Sequence, residues 1–283
     1  MNVRKAVITA AARSQRQLPL QVLTDIDGVT RSVLEMLVRE AISAGVEQVG
    51  VVIAPGDRDP YTSALGSARE QVVFVEQPEP RGYGDAIRVA ADFVREEPFL
   101  HLVGDHLFLS KTGESCAKTL VTVAERENCT VSAVQPTREH MLPYYGTIGG
   151  HLVSGQPGLY QVENVVEKPT PTEAEQSLIV PGMRAGHYLC FVGMHVLTSG
   201  VIQALQAIFA SGGTARPPTL SDALARLTRQ ERYLALELKA ARYNVGVKHG
   251  LLMAQLAIAL SGPDRDEVLT GLIEQLAREQ QPV

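Results

Sequence analysis

Short apolar runs rich in β-branched residues alternate along this chain with stretches whose apolar positions recur every three or four residues. Residues 5–10 run Lys5, Ala6, Val7, Ile8, Thr9, Ala10 and predict an opening strand buried on both faces. Over residues 30–44, Val33, Leu34, Leu37, Val38 and Ala41 form one helical stripe. Thr30 or Ser32 can cap its start and Gly45 can close it. Residues 49–54 and 71–75 predict two more buried strands. Residues 85–96 predict a helix with Ile87, Ala90, Ala91 and Val94 inward, and residues 99–105 a strand that ends on Asp105. This βαβαβ rhythm predicts an α/β fold, a doubly wound and mostly parallel sheet with helices on both faces.

The rhythm changes after Pro136. Residues 145–151, 160–167 and 187–195 are strand-like with glycine breaks, and helical patterns return at 201–210 and 220–229. Beyond Gly246 the chain reads as helix, broken at residues 261–264 (Ser-Gly-Pro-Asp). The expectation is one open-sheet core, an inserted β-rich region and C-terminal helices.

Composition narrows the function classes. Twenty-six Lys plus Arg against 31 Asp plus Glu give a net charge of −5, which argues against a broad basic surface for nucleic acid. No apolar run approaches the ~18 residues a membrane span needs. The apolar stretch 6–12 is cut short by Arg13, which speaks against a secretory signal. Cys116, Cys129 and Cys190 are widely spaced and odd in number, so neither a zinc site nor a disulfide framework is expected, and a reducing cytoplasm is.

In open parallel sheets, ligands sit beyond the carboxyl ends of the strands. Three segments fall there. Residues 11–19 carry Arg13, Arg16 and a run of backbone amides, without the glycines of a Walker loop. Residues 77–86 (Gln-Pro-Glu-Pro-Arg-Gly-Tyr-Gly-Asp-Ala) join a stiff approach to two glycines at a helix start, with a Gln amide suited to a nucleobase edge. Residues 104–107 place Asp105 at the top of a buried strand, where an idle charge is costly and a hard cation such as Mg2+ is its natural partner. Taken singly, each also reads as a plain connection, a Pro/Gly turn or a turn aspartate, and His106 as a neighbour rather than a ligand.

Together these segments resemble the sugar-phosphate nucleotidyltransferases, which move a nucleotidyl group from an NTP to a sugar 1-phosphate. The likeness is greatest to the bacterial UTP–glucose-1-phosphate uridylyltransferases and covers nearly the whole chain. Residues 12–19 (ARSQRQLP) line up with the family's G-x-G-T-R-x-x-P loop, and residues 77–82 (QPEPRG) with its base-reading segment. Asp105 matches the metal aspartate, Tyr145-Gly146 a Tyr-Gly pair, and Glu167-Lys168-Pro169 the Glu-Lys-Pro that meets sugar hydroxyls and phosphate. Gly186-His187-Tyr188 resembles the sugar-side Gly-x-Tyr, residues 220–223 (LSDA) the L-T-D-A helix, and Asn244-Val245-Gly246 the second metal Asp-x-Gly.

The resemblance implies a Rossmann-like nucleotidyltransferase fold in one domain, residues 1–283. Its nucleotide-binding half covers about 1–135, its sugar-binding half about 136–245 and its helical extension about 246–283. It implies Arg16, Asp105 and Lys168 as catalytic groups, and Ala11, Ala12, Arg13, Gln77 and Gly82 around the nucleotide. Tyr145, Gly146, Glu167, Lys168 and Gly186 would meet the sugar, with Asp105 and Asn244 on Mg2+. UTP or dTTP and a sugar 1-phosphate are the implied partners, with no nucleic acid, no membrane and a homo-oligomer as an option. Three departures bear on activity. Ala12, Ser14 and Gln15 replace the loop's two glycines and threonine; no lysine occurs between Lys5 and Lys111; Asn244 replaces a carboxylate. Two readings follow: an active uridylyltransferase, or a weak or inactive nucleotide-sugar binder with a regulatory role.

Overall fold

In the computed structural model, which describes residues 1–212 and 216–279, the apolar runs become the centre of one sheet. Strand β1 (Lys5–Thr9) leads through the loop 11–19 to a hairpin of β2 (Val22–Thr24) and β3 (Thr30–Ser32), then to helix α1 (Val33–Ser43). Ser32 is the cap of α1, its hydroxyl accepting from Glu35 N, because Thr30 is taken into β3. Next come β4 (Gln48–Ile53), α2 (Arg58–Ala64), β5 (Val72–Glu76), α3 (Tyr83–Arg88), α4 (Ala91–Val94), β6 (Phe99–Val103) and β7 (His106–Ser110). The helix expected over 85–96 is thus two short pieces. The Ala90 N–H bonds to Ile87 O three residues back, and this tightened turn offsets α4 from α3.

The second half adds α5 (Cys116–Glu127), β8 (Thr130–Arg138), β9 (Gly146–Leu152), β10 (Leu159–Glu167), α6 (Pro171–Ser177) and β11 (His187–Leu197). It ends with α7 (Ser199–Ala210), α8 (Leu220–Leu227), β12 (Tyr233–Glu237), β13 (Ala240–Asn244), α9 (Gly250–Ala259) and α10 (Arg265–Glu279). Nine strands form one sheet in the order β5-β4-β1-β6-β11-β8-β12-β10-β9. It is parallel from β5 to β6 and mixed beyond, where β11 enters antiparallel to both β6 and β8. One sheet therefore runs through both halves.

Side-chain alternation along each strand splits the core into two faces. Ile8, Val51 and Leu102 pack with Leu34, Leu37 and Leu120 on the α1/α5 side. Val7, Val52 and Phe99 pack with Ile87, Leu205, Leu224 and Tyr233 on the other. Truncating a fully buried anchor such as Leu37 or Leu120 would cost about 2–5 kcal/mol. Because the core clamps β1 and β6 side by side, with Thr9 opposite Val103, the residues just beyond both strands are held together. There the candidate chemistry lies.

Candidate active site

A cleft of about 920 Å³ opens above the carboxyl ends of β1 and β6 and continues over β9–β11. It gathers segments distant in sequence: Ala11–Arg13 and Gln15, Gln77 and Gly82, Asp105, Tyr145 and Gly146, Glu167 and Lys168, and Asn244. Twelve residues singled out above thus face one space.

Two do not. Arg16 is turned away, its guanidinium 3.4 Å from Asp57 and its carbonyl accepting from the Tyr61 hydroxyl at 2.8 Å. Gly186 is exposed just before β11 and accepts from Glu139 N at 3.0 Å, outside the cleft lining. The glycine of β11 that does line the cleft is Gly193. It sits at a register shift between Phe191 and His195, with φ +84° and Val103 Cγ2 only 2.5 Å from where a Cβ would stand. A side chain there would need both a left-handed backbone and the space of Val103. The Phe-Val-Gly-Met run inside a long apolar strand was the available signal.

The base side is built on Gln77, which is 5% exposed. Its N–H bonds to Ile53 O at 2.9 Å, which carries the β5 end across to β4. Its side-chain amide donates to Gly82 O at 3.2 Å and to Asp85 at 2.9 Å.

On the sugar side, Glu167 ends β10 and accepts a 2.5 Å hydrogen bond from Ser221 at the start of α8. Gly146 lies directly beneath, and a Cβ there would meet Ser221 Oγ at 2.6 Å and Phe191 at 2.7 Å. Lys168 adopts φ +51°, which costs a non-glycine residue roughly 1 kcal/mol or more. Its N–H donates to Tyr145 O at 3.1 Å, and that bond holds the turn that brings the side chain to the cleft. A cation that the sequence reading passed over stands beside it. Arg242 donates to the Tyr145 hydroxyl at 2.6 Å, with its guanidinium 4.4 Å from the ring centre. Period-two alternation could have found it, since residues 242 and 244 share one face of β13.

Asp105 and Asn244 also meet. Strand β13 runs antiparallel to β7 with Asn244 opposite His106. Asn244 Oδ1 and Asp105 Oδ2 lie 3.1 and 3.5 Å from the position a Gly246 Cβ would occupy. The other carboxylate oxygen is paired with His106 Nδ1 at 2.7 Å, and Asn244 Oδ1 accepts from Gly246 N at 2.7 Å. Among the described residues no three His, Cys, Asp or Glu side chains cluster as ligands. One free carboxylate oxygen with one amide oxygen suits a hard divalent cation that takes its other ligands from substrate phosphates and water, and does not make a closed protein cage.

Two buried histidines stand at the cleft floor, His195 lining it and His101 opposite across β11 and β6, with ring centres 5.8 Å apart. His195 Nδ1 is 2.7 Å from Ser132 Oγ, which is 2.6 Å from the Tyr233 hydroxyl. Burial holds His101 well below the usual histidine range and pushes His195 down to about 3.

A parallel βαβ core with its ligand cleft at the strand ends, a buried amide on one side and an acid–lysine turn on the other, defines an α/β nucleotide-binding enzyme. The family model described as Nucleotidyl transferase matches residues 17–259, and the chain belongs to that family. It is 30% identical to a UTP–glucose-1-phosphate uridylyltransferase of Streptococcus pneumoniae serotype 4, over 98% of this chain and 97% of that one. A protein of the same name from Streptococcus pyogenes is 28% identical over 98% and 95%. Among solved structures, a UDP-glucose pyrophosphorylase complexed with UDP-glucose superposes with a TM-score of 0.71 at 22% identity, over 90% of this chain and 98% of that one. A UTP-bound enzyme of this kind from Acinetobacter baumannii gives 0.74 at 23%, over 97% and 100%. At these identities the two structures speak to the fold, which is the nucleotidyltransferase fold. The family to which the sequence motifs pointed is the one matched.

Proposed function

We propose that this enzyme transfers a uridylyl group from UTP to glucose 1-phosphate or a related sugar 1-phosphate, releasing pyrophosphate. The supporting observation is the single cleft that joins Gln77 and Gly82, Asp105 and Asn244, and Glu167 and Lys168. A sugar-phosphate oxygen forms a bond to the α-phosphorus in line as the α–β bridging bond breaks, and the electron pair leaves with pyrophosphate. Catalysis of this kind is mostly positioning and charge neutralisation. Glu167, its other oxygen occupied by Ser221, accepts from sugar hydroxyls, and Lys168 meets the sugar phosphate. Arg13 and Arg242 supply positive charge on the cleft wall. A Mg2+ ion held by Asp105, with Asn244 as neutral second ligand, would neutralise charge on the triphosphate.

The test is pyrophosphate release from Mg2+, UTP and glucose 1-phosphate, with dTTP and other sugar phosphates in parallel. The second reading, a nucleotide-sugar binder with little turnover, is favoured by Asn244 and by Arg16 being spent on Asp57. It would be marked by UDP-sugar binding with no release from any pair. Three buried free thiols suit the cytoplasm, and no described helix is long and apolar enough to cross a membrane. A homodimer is the proposed assembly. On α10, Leu269, Ile273 and Leu276 are exposed, and an antiparallel pairing sets Leu269 against Leu276 and Glu267 against Arg278 of a second copy. Sedimentation of wild type and Ile273→Asp tests it.

A further inference from the structure

Which face of the Gln77 amide the ligand meets is decided away from the cleft, at Asp85. Asp85 lies on α3, is 1% exposed, and is saturated: Oδ1 takes the Arg88 guanidinium at 2.8 and 2.7 Å, and Oδ2 takes Gln77 Nε2 at 2.9 Å. The second proton of that NH2 faces Gly82 O at 3.2 Å. A carboxylate and a carbonyl can only accept, so the nitrogen of Gln77 is the atom that must face them. The amide cannot turn over without setting its oxygen against both. Among the described residues no group donates to Gln77 Oε1, although Gln77 lines the cleft. The ligand therefore meets an acceptor.

The segment carrying these groups is fixed independently. Gly82 has φ +100°, with Pro217 2.9 Å from where a Cβ would be, and Gly84 N donates to Pro218 O at 3.2 Å. The carbonyl that shares Gln77 thus has little freedom to move.

Resting on the uridylyl reading above, we propose that Asp85 is a positioning residue for base selection. It locks Gln77 so that the base must bring an N–H donor at the pyrimidine N3 position to Oε1. Uracil and thymine carry such a donor at N3, whereas N3 of cytosine is an acceptor and would face Oε1 lone pair to lone pair. A buried site that needs one hydrogen bond rejects the analogue that cannot make it.

The substitution Asp85→Asn reverses this logic at constant shape. Arg88 requires an acceptor, so the new amide turns its oxygen to Arg88 and its NH2 to Gln77. Only Gly82 O then still holds the Gln77 NH2 inward, so the lock is weakened and a turned Gln77 becomes populated that offers Oε1 to the new NH2 and its own NH2 to the cleft, where N3 of cytosine can accept from it. Gln77→Glu in the same chain restores the acceptor toward the cleft, because a carboxylate also accepts from the new NH2, although its inner oxygen then stands near Gly82 O.

The experiment measures Kd by calorimetry for UTP, CTP and N3-methyl-UTP. Wild type should bind UTP at least about tenfold more tightly than either of the others. Asp85→Asn should lower the UTP-to-CTP ratio by about tenfold or more, and Gln77→Glu/Asp85→Asn should restore it. Circular dichroism and thermal melts establish folding; should the single variant not fold, the double variant and the wild-type comparison with N3-methyl-UTP decide. A folded Asp85→Asn with an unchanged preference for UTP overturns the role of Asp85 and leaves the uridylyl reading standing. Equal binding of N3-methyl-UTP and UTP overturns the acceptor reading of Oε1. Wild type that binds CTP or ATP as tightly as UTP overturns both this proposal and the nucleotide choice beneath it.

Discussion

The stability of the fold should drop through mildly acid pH because of His101 and His195. Both are essentially inaccessible, and both are held neutral by burial, His195 down to about 3 and His101 well below its usual range. The unfolded chain has no such burial and protonates near pH 6.5. The unfolded state therefore binds more protons as pH falls, so the stabilisation is complete above about pH 6.5 and is lost below it. For His195 the loss continues down to about pH 3. Each pH unit below about 6.5 costs about 1.4 kcal/mol for His195, so at pH 5 it has lost about 2 kcal/mol, and His101 adds a loss of the same sign. That is a large share of the roughly 5–15 kcal/mol of a folded domain. Among the carboxylates, Asp27 is held well below the usual range by hydrogen bonds from Arg31, so its contribution is lost only at lower pH, whereas Glu40 is raised by burial and opposes the histidines as pH falls. Urea denaturation followed by circular dichroism at pH 7.5, 6.5, 5.5 and 5.0 measures the slope. His195→Asn, which keeps an amide near Ser132, and His101→Gln, near Thr9, should each reduce it. Equal stability at pH 7.5 and 5.0 in wild type, or an undiminished slope in both variants, would refute the reasoning.

Three further outcomes are expected. Lys168→Ala should raise KM for the sugar phosphate or lower kcat, with UTP binding little changed; identical kinetics on every sugar phosphate turned over would remove Lys168 from that role. Gly146→Val should separate Ser221 from Glu167 and destabilise the fold by about 1–3 kcal/mol, seen in the urea midpoint, since its Cβ would fall 2.6 Å from Ser221 Oγ. Asn244→Asp keeps an oxygen for Gly246 N and adds a charge beside Asp105, so it should lower the Mg2+ concentration for half-maximal pyrophosphate release; an unmoved Mg2+ dependence would place Asn244 outside the metal shell.

The parts legible from sequence were those where one interaction dominates. Strands β1, β4 and β6 are continuous apolar runs because both faces are covered, whereas β5, expected to be buried as well, is the edge of the sheet with Val73 45% exposed. The bounds of all four fall within about a residue or two of expectation, with β6 stopping at Val103. Helix α5 and strand β8 drew no expectation. The α5 stripe of Cys116, Ala117, Leu120 and Ala124 is built largely of small residues between charged ones. Strands β12 and β13 are five residues each, held by pairing with β8, β10 and β7, which local patterns do not reveal. The same distinction explains the site. Gln77, Asp105 and Glu167 stand at strand ends and could be found from pattern. Gly193 and Arg242 reach the cleft through a register shift and a long-range pairing, and Gly186 drew attention through a three-residue likeness to the family's Gly-x-Tyr, which does not fix where the glycine faces.

The altered phosphate loop and the missing lysine belong to one rearrangement. Residues 12–21 close by successive turns, Gln15 N to Ala12 O, Leu18 N to Gln15 O and Gln21 N to Leu18 O, and none of them takes a positive φ. The loop therefore avoids the left-handed geometry that Ala12, Ser14 and Gln15 would make costly. The chain then enters the β2–β3 hairpin, whose central cation, Arg31, is spent on Asp25 at 2.7 Å and Asp27 at 2.6 Å. Gln255 of α9 grips the hairpin through both the N–H and the carbonyl of Thr24. A hairpin tied down at both ends, with its guanidinium neutralised, cannot swing a positive group over a triphosphate. On the proposed reaction, that charge falls to Arg242, whose backbone the pairing of β13 with β7 fixes, and to Arg13 at the loop's start. Arg242 is the more constrained, since its hydrogen bonds to the Tyr145 hydroxyl and the Phe191 carbonyl leave the planar face of the guanidinium against the ring and its other N–H groups for phosphate oxygens. The triphosphate side thus depends on β13, the strand that also carries Asn244, so nucleotide and metal affinities should respond together when that strand's pairing with β7 is weakened.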